Sequence, residues 1–338
     1  ALRVSCGRSL HNGDILAPMI LVRRAGAFVM LLGSVVANCA NNDSAKNVVA
    51  PVAGGAGAST TGQSGNPSSA GSSTSAGGSG SGCGLVGKPT GTVQIKVADG
   101  NGTMRDVELL VPASYDSKVP RAVSIAYHGA GGVSANARAY GLQDAPGASD
   151  AAIFVFPQGI VYKSFGVGWD DTCGGYDMPL FDNMLAYLKN NYCIDQARVF
   201  VSGFSWGCDH VTALACCRGN KIRGVAAASC SDEFQDPKKA STYQNLACPV
   251  ASGAGIRFTH ETLGDPGYPS PMFATTLSLY RSFNQCGDTS TATSPSPCPS
   301  FNGCRQPVVD CPYDGLGHTT PANFGKDTWS FFASLKAP

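Results

Sequence analysis

Residues 199–207 constrain the fold more than any other part of the chain. An apolar, strand-like stretch, Val-Phe-Val-Ser, runs into Gly-Phe-Ser-Trp-Gly, and a helical pattern follows from Asp209. A serine between two glycines at such a junction is typical of a sharp strand-to-helix turn that exposes the serine Oγ. Glycines are needed because a Cβ at either position would strike the neighbouring strand or helix. We therefore predict that Ser205 is a nucleophile, whereas Ser202 lies on the strand and is structural.

The rest of the chain alternates strand-like and helix-like segments. Residues 92–97 and 107–111 alternate apolar and polar side chains around a turn-rich Asp-Gly-Asn-Gly segment, which predicts an antiparallel hairpin. Short apolar runs, typical of strands buried on both faces of a parallel sheet, lie at residues 122–127, 152–156, 198–202 and 222–228. Helical periodicity is found at residues 180–191, 209–217, 271–284 and 321–335.

This order predicts an α/β fold with a mostly parallel central sheet, helices on both faces and an N-terminal antiparallel hairpin. The 43% hydrophobic content is enough to build the core of such a domain. In sheets of this kind the chemistry lies at the carboxyl ends of the strands. Candidate functional residues are therefore expected just after the apolar runs.

Histidine is the expected base, because a serine hydroxyl needs a partner whose pKa is near neutrality. His318 lies in a glycine-rich loop before the last predicted helix, and the chain order nucleophile, acid, histidine selects it. The other histidines have different expected roles. His128 begins a loop after a strand, His210 has a packing or surface role on the helix that follows the nucleophile, and His260 orients the loop that carries the acid.

The acid that orients this histidine should lie between the nucleophile and the base, at the end of another strand. Asp265, in Thr-Leu-Gly-Asp-Pro-Gly, fits this position best. Glu261 is the close alternative. Asp288 and Asp310 are weaker candidates because both lie among cysteine-rich loops.

The loop at residues 128–132, His-Gly-Ala-Gly-Gly, follows the strand predicted at 122–127. Its glycines let the backbone approach a substrate without a side chain in the way. We predict an oxyanion hole formed by the backbone N–H groups of Ala130 and of Trp206, the residue after the nucleophile.

The N-terminal region carries features of export. Arg23 and Arg24 precede an apolar run at 25–36 that is too short to span a bilayer and fits a signal peptide. Residues 1–39 are therefore predicted to be a signal peptide or a lipoprotein signal region. Cys39, in Val-Ala-Asn-Cys, is the candidate site of a lipid anchor, and the alternative is ordinary secretion with cleavage after Ala37.

Residues 40–82 are predicted to be a flexible Gly/Ser-rich linker, and residues 83–338 a single catalytic domain. From residue 51 to 82 the linker is almost wholly Gly, Ser, Ala and Thr and has no charged or aromatic residue. The domain holds twelve of the fourteen cysteines, which points to a secreted, disulfide-bonded protein. The pairing is left open, except that adjacent Cys216 and Cys217 should each pair elsewhere. Disulfides are expected to hold residues 295–312, a loop with little helix or strand.

Composition and spacing exclude two classes of protein. Charged residues make up 14% of the chain and the net charge is +1, which excludes nucleic-acid binding through phosphate neutralisation. The cysteines form no paired Cys-x-x-Cys sets, which excludes a zinc protein.

With these residues placed, the chain resembles the secreted feruloyl esterase and polyhydroxybutyrate depolymerase-like group of α/β-hydrolases, which includes acetyl xylan esterases. The resemblance covers roughly residues 88–335. It implies that Ser205, Asp265 and His318 form a triad that hydrolyses esters without a metal or organic cofactor. Four segments carry it: the loop at 128–129, residues 192–207, the strand and loop ending at Asp265-Pro266, and residues 313–319.

Two positions depart from the pattern of this group. Cys208 stands where a second glycine is frequent, which should leave the turn intact because Gly207 is kept. Thr262-Leu263-Gly264 differs from the usual His-Gly-Thr approach to the acid. The second departure makes the acid the least determined member of the triad.

Three aromatic residues, Trp169, Tyr176 and Trp206, are candidates to bind an aromatic acyl group such as ferulate. No long lid insertion is visible, which favours an open cleft for esters on polysaccharide or polymer chains. The first interpretation is a secreted, monomeric feruloyl esterase-like enzyme that releases hydroxycinnamic acids from plant polysaccharide esters. The alternatives are a polyhydroxybutyrate or other polyester depolymerase, an acetyl xylan esterase, and a non-catalytic surface-binding protein.

Overall fold

The computed structural model describes residues 81–162, 166–230, 254–262, 274–293 and 298–335. The predicted signal region, 1–39, and all of the predicted linker before residue 81 lie outside these residues. The strands are β1 (Gly91–Ala98), β2 (Met104–Val111), β3 (Arg121–Tyr127), β4 (Ala152–Pro157), β5 (Ile160–Val161), β6 (Val167–Gly168), β7 (Ile194–Phe204), β8 (Gly224–Ala228), β9 (Gly255–Glu261), β10 (Ser290–Ala292), β11 (Pro299–Phe301) and β12 (Val308–Tyr313). The α-helices are α1 (Ser134–Arg138), α2 (Ala148–Ala151), α3 (Asp177–Asn191), α4 (Trp206–Arg218), α5 (Ala274–Phe283) and α6 (Phe324–Ser334).

A ten-stranded sheet organises the described residues, in the order β1-β2-β4-β3-β7-β8-β9-β12-β11-β10. The six central strands, from β4 to β12, pair in parallel. Antiparallel strands flank them on both sides, and β1 and β2 form the predicted hairpin with Gly91 opposite Val111. The predicted α/β fold with a mostly parallel sheet is confirmed.

The central strands are apolar on both faces because helices cover both. On β3, Val123 and Ile125 face one core cluster, whereas Ala122 and Ala126 face the other. The first cluster contains the apolar faces of α3 and α4. The second contains α6, whose Phe332 ring stacks on Phe200 of β7 with 4.7 Å between centroids. Burial on both faces fixes the strands that carry the site.

A buried ion cluster ties the N-terminal hairpin to α3. The Arg105 guanidinium donates to Asp99 Oδ2 (3.1 Å) and Asp177 Oδ1 (2.9 Å), and all three side chains are fully buried. The guanidinium also donates twice to the Gln158 carbonyl, at 3.1 and 2.9 Å. Asp177 Oδ2 accepts the Asp170 N–H at 2.7 Å. Because a buried charge without its partner is costly, this cluster holds the segment before α3 in place.

Disulfides join the described elements at five places, and the prediction of a disulfide-bonded protein is confirmed. Cys208 at the start of α4 pairs with Cys230 after β8, and Cys217 pairs with Cys173 rather than with its neighbour. Such bonds are typical of proteins exported to an oxidising compartment. The other pairs are Cys83–Cys193, Cys286–Cys304 and Cys298–Cys311, and Cys216 is disulfide-bonded as well.

Residues 295–312 were predicted to have little helix or strand, and the structure shows more strand there than expected. Strand β11 and the start of β12 lie within it, and β11 pairs antiparallel with both β10 and β12. β10 and β11 have three residues each and no buried residue, so neither strand has an apolar pattern that predicts it. Within the described parts of the chain, no helix has both the length and the hydropathy needed to cross a membrane.

Candidate active site

Ser205 occupies the turn between β7 and α4, where the chain reverses from strand to helix within one residue. Its backbone has φ 55° and ψ −125°, a conformation that L-residues rarely adopt. The Ser205 N–H donates to the Ala228 carbonyl at 2.9 Å, which ties the turn to the end of β8. A strained, well-anchored serine at a strand end is typical of a functional position.

The two glycines around this serine are required by close packing of backbone on backbone. A Cβ at Gly203 would lie 2.1 Å from the Gly207 carbonyl oxygen. A Cβ at Gly207 would lie 2.2 Å from the Tyr127 carbonyl oxygen, at the end of β3. Both distances are far below van der Waals contact, so the turn can form only without these side chains.

His318 is brought to Ser205 from the loop after β12. Its Nε2 lies 2.9 Å from Ser205 Oγ, within hydrogen-bonding distance. The imidazole also packs on the Phe204 ring, with 4.8 Å between centroids. Ser205 is 7% exposed and His318 is half-buried, so the pair lies at the surface of the domain, where a substrate can reach it. This is the geometry by which a histidine activates a serine hydroxyl.

Glu261 lies at the end of β9, next to β12. Its Oε1 accepts the Gly315 N–H at 3.0 Å and its Oε2 accepts the Gly317 N–H at 2.7 Å. The carboxylate therefore binds the backbone of the loop that carries His318. Asp265, the acid predicted to orient the imidazole, lies outside the described residues.

The loop after β3 is held by its own histidine. The His128 ring is buried, its Nδ1 lies 2.8 Å from the Gly129 carbonyl, and its Nε2 accepts the Gly159 N–H at 2.9 Å. These contacts fit a neutral ring with the proton on Nδ1. Burial lowers the pKa of His128, which also favours the neutral ring. His128, which was predicted to begin this loop, is thus held in place by hydrogen bonds and fixes the loop backbone next to it.

This loop comes close to the serine. A Cβ at Gly129 would lie 3.1 Å from Ser205 Cβ, and the Gly131 N–H donates to the Val167 carbonyl at 2.8 Å. Ala130 between them is exposed, and no backbone acceptor for its N–H is found in the described part of the chain. Trp206 is the first residue of α4, where N–H groups point out of the helix end.

The predicted aromatic residues separate into two environments. Trp169 has no exposed surface, and its indole N–H donates to the His128 carbonyl at 2.8 Å. It is therefore a core residue that supports the loop, and the prediction that it contacts substrate is wrong. Trp206 and Tyr176 are half-exposed.

Sequence reasoning missed Tyr162, a half-exposed residue that follows β5. Its ring centroid lies 6.0 Å from that of Trp206 and 6.1 Å from that of Tyr176. The Trp206 ring lies flat against Gly168 of β6, where a Cβ would come within 2.4 Å of it. The two-residue strands β5 and β6 give too little pattern to be read from sequence, and they bring this third aromatic residue to the site.

The remaining histidines contact other groups. His210 is fully buried on α4 and stacks on Trp169 with 5.3 Å between centroids, so of its two expected roles the structure shows packing and not a surface position. Burial lowers its pKa to about 3, so the ring is neutral. His260 Nε2 lies 2.8 Å from Asp310 Oδ1. Its predicted role toward the acid-bearing loop concerns residues outside those described.

In the described parts of the chain, one group of three residues has metal-ligand spacing, namely Cys173, Cys216 and Cys217. All three are disulfide-bonded. Because a metal binds the thiolate, oxidised cysteines offer it no ligand.

A parallel sheet with a strained serine after β7 and a histidine after β12 defines the class as an α/β-hydrolase. The solved structure of an acetyl xylan esterase from Aspergillus awamori has the same fold, with a TM-score of 0.54 and 18% identity over 71% of this chain and 99% of that chain. No family model matches the chain.

Two curated proteins are similar to the chain over about three quarters of its length. Feruloyl esterase C of Emericella nidulans is 29% identical over 273 residues, covering 74% of this chain and 90% of that protein. The probable feruloyl esterase C of Aspergillus terreus is 30% identical over 270 residues, covering 75% and 90% respectively. The chain belongs to the feruloyl esterase C family and is a feruloyl esterase-like carboxylic ester hydrolase.

Proposed function

We propose that Ser205 is the catalytic nucleophile, His318 its general base and Asp265 the acid that orients the imidazole. The observation that carries this proposal is the 2.9 Å separation of His318 Nε2 from Ser205 Oγ, on a strained turn at the end of a parallel strand. Asp265 is proposed from the chain order of the triad and from its position after β9.

The reaction is acyl transfer in two steps. His318 Nε2 takes the hydroxyl proton as Oγ attacks the ester carbonyl, and the imidazolium then gives that proton to the departing alcohol. Water attacks the acyl-enzyme with the same histidine as base, which releases the acid and restores Ser205. The backbone N–H groups of Ala130 and Trp206 bind the negative oxygen of each tetrahedral intermediate. No metal or organic cofactor takes part.

The proposed substrate is an ester of a hydroxycinnamic acid. Trp206 follows the nucleophile in the chain, and its half-exposed ring forms a row with those of Tyr162 and Tyr176, with neighbouring centroids about 6 Å apart. Flat apolar surface of this kind binds an aromatic acyl group, and the phenolic groups offer hydrogen bonds to its ring substituents. The names of the related feruloyl esterases support the same acyl group.

The alcohol part of the ester is proposed to be a plant polysaccharide. A secreted, monomeric enzyme that carries the Gly/Ser-rich segment 40–82 before its catalytic domain would reach esters on an insoluble polymer. A lipid anchor at Cys39 is proposed as the attachment of that linker to the cell surface.

A substrate panel tests this function. Purified enzyme is given methyl ferulate, acetylated xylan and polyhydroxybutyrate, with Ser205→Ala as the control for contaminating activity. We expect release of ferulate at the highest kcat/KM. Failure on methyl ferulate with turnover of acetylated xylan or of the polyester would overturn the choice of acyl group.

Aromatic variants sharpen the same test. Tyr162→Ala and Tyr176→Ala should raise KM for methyl ferulate about tenfold, since each removes part of a stacking surface. The same variants should leave kcat/KM for p-nitrophenyl acetate within about twofold, because an acetyl group does not reach these rings. Equal losses on both substrates would contradict an aromatic acyl site.

A further inference from the structure

We propose that Glu261 is a positioning residue whose carboxylate holds the His318 loop where Nε2 meets Ser205 Oγ. The inference rests on the proposed function, since it assumes that His318 is the base. The proposed function uses the contact between His318 and Ser205, whereas this inference concerns the contact between the Glu261 carboxylate and the loop backbone.

The carboxylate is well placed for this purpose. Glu261 is 6% exposed at the end of β9 and lies in register with Tyr313, the last residue of β12. The next residue, Thr262, donates its N–H to the Tyr313 carbonyl at 3.1 Å. The side chain therefore projects from a fixed strand end, one residue away from where the loop leaves the sheet.

The loop itself has little structure of its own. Residues 314–320 contain no helix or strand. Gly315 and Gly317 have φ of 73° and 67°, and this left-handed backbone turns both N–H groups toward the carboxylate. Backbone N–H groups that converge in this way form a pocket for an anion. Hydrogen bonds from N–H groups to a carboxylate are stronger than those to a neutral acceptor.

Few other contacts hold the loop within the described residues. The Ser229 hydroxyl donates to the Thr319 carbonyl at 3.4 Å, which is long, and Thr262 Oγ1 donates to the exposed carboxylate of Asp314. Among the described residues, the paired hydrogen bonds of Glu261 are thus shorter than the contact of Ser229 with this loop. A displacement of about 1 Å between reacting groups can cost about 100-fold in rate.

The test compares carboxylate-to-amide changes at two neighbouring positions. Glu261→Gln keeps the size of the side chain but can accept only one of the two N–H groups. Asp310→Asn is the matched control, because Asp310 lies on β12 next to β9 and its carboxylate contacts a side chain, His260. Both variants are assayed on methyl ferulate for kcat and KM, and thermal unfolding is measured in parallel.

We expect Glu261→Gln to lower kcat by about 10- to 100-fold with KM within about twofold, because binding surfaces are untouched while the base is displaced. Asp310→Asn should stay within about twofold of wild type in kcat. If Glu261→Gln folds poorly, Glu261→Asp is the second variant. It keeps a charged acceptor and should retain more kcat per folded molecule than Glu261→Ala.

Three outcomes would overturn the inference. The first is wild-type kcat in both Glu261→Gln and Glu261→Ala. The second is an equal loss in Asp310→Asn, which would indicate a general effect on this sheet edge. The third is a loss in Glu261→Gln as large as in His318→Ala, which would make Glu261 the triad acid. If His318→Ala itself keeps its turnover, the proposed function fails instead.

Discussion

The two halves of the active site are built in different ways. The nucleophile half, from Gly203 to Gly207, joins two central elements and is packed so closely that neither glycine can carry a side chain. Cys208, next to it, is bound to Cys230. The histidine half is an irregular loop after the last parallel strand, held by the Glu261 carboxylate and by contacts of His318 with its neighbours.

This difference shows where the precision of the site comes from. Packing of backbone on backbone fixes the serine, and any error there would disturb the sheet itself. The histidine can shift without disturbing the sheet, so its position depends on a few hydrogen bonds. Side chains added to the glycines of the first half should therefore lower stability, whereas substitutions that shift the histidine loop should mainly lower activity.

The largest expected effect is the loss of turnover in Ser205→Ala and His318→Ala. Each should reduce kcat/KM for methyl ferulate by about 10⁴-fold or more, because the serine and its base act as a unit. The melting temperature should change little, since each substitution only shortens a side chain at the edge of the domain. Steady-state assays and thermal unfolding check both statements, and near-wild-type turnover in either variant would contradict the triad assignment.

Glycine-to-alanine substitutions should lower the free energy of unfolding more in the nucleophile half than in the histidine half. Gly207→Ala should lower the free energy of unfolding by about 1–3 kcal/mol or more, because its Cβ would overlap the Tyr127 carbonyl oxygen. Gly315→Ala is the control in the histidine loop, where nothing lies within 4 Å of the new Cβ and only the φ of 73° opposes it. Denaturant unfolding should show the larger loss for Gly207→Ala. The reverse order would contradict the comparison.

Acid should lower the free energy of unfolding through His210, which lies on the helix that follows the nucleophile. Its pKa is about 3 in the folded protein and near 6.5 when exposed, so the unfolded chain binds the extra proton between these values. Stability contributed by the neutral ring is complete above the unfolded pKa and falls as the pH drops toward 3. At pH 5 the loss relative to pH 7 is about 2 kcal/mol.

His210→Phe should remove this acid dependence while keeping the aromatic contacts with Trp169 and Tyr127. Neither nitrogen of His210 has a hydrogen-bond partner in the described part of the chain, so the change costs no polar contact there. Denaturant unfolding at pH 7 and pH 5 measures the difference. An unchanged pH dependence in His210→Phe would show that another group is responsible.

The smallest effect is expected at Asp314. Its carboxylate is exposed and accepts one hydrogen bond from Thr262, so Asp314→Asn should change the free energy of unfolding by less than about 1 kcal/mol. Its kcat should stay within about twofold of wild type. A loss of kcat as large as that expected for Glu261→Gln would mean that the loop is held mainly at its exposed end.

The nucleophile half was predictable from sequence because its signals are local. Two glycines two residues from a serine, between an apolar run and a helical pattern, identify the turn without any knowledge of distant residues. The order of strands and helices likewise predicted the sheet, since buried parallel strands are apolar on both faces.

The histidine half depends on contacts between distant residues, which no local pattern shows. Glu261 and Gly317 are far apart in the chain, and their contact exists only because β9 pairs with β12. For the same reason Trp169 could not be distinguished from Trp206 before the structure showed which ring is buried. Tyr162 was missed because it follows a strand of two residues.

Labelling of Ser205 by a fluorophosphonate tests the central claim most directly, because it requires an activated hydroxyl but no particular ester. Mass spectrometry should find a single adduct on Ser205 in the wild-type enzyme, and the second-order rate should fall about 10³-fold or more in His318→Ala. An unlabelled Ser205, or an equal rate in His318→Ala, would show that the histidine 2.9 Å away does not activate the serine.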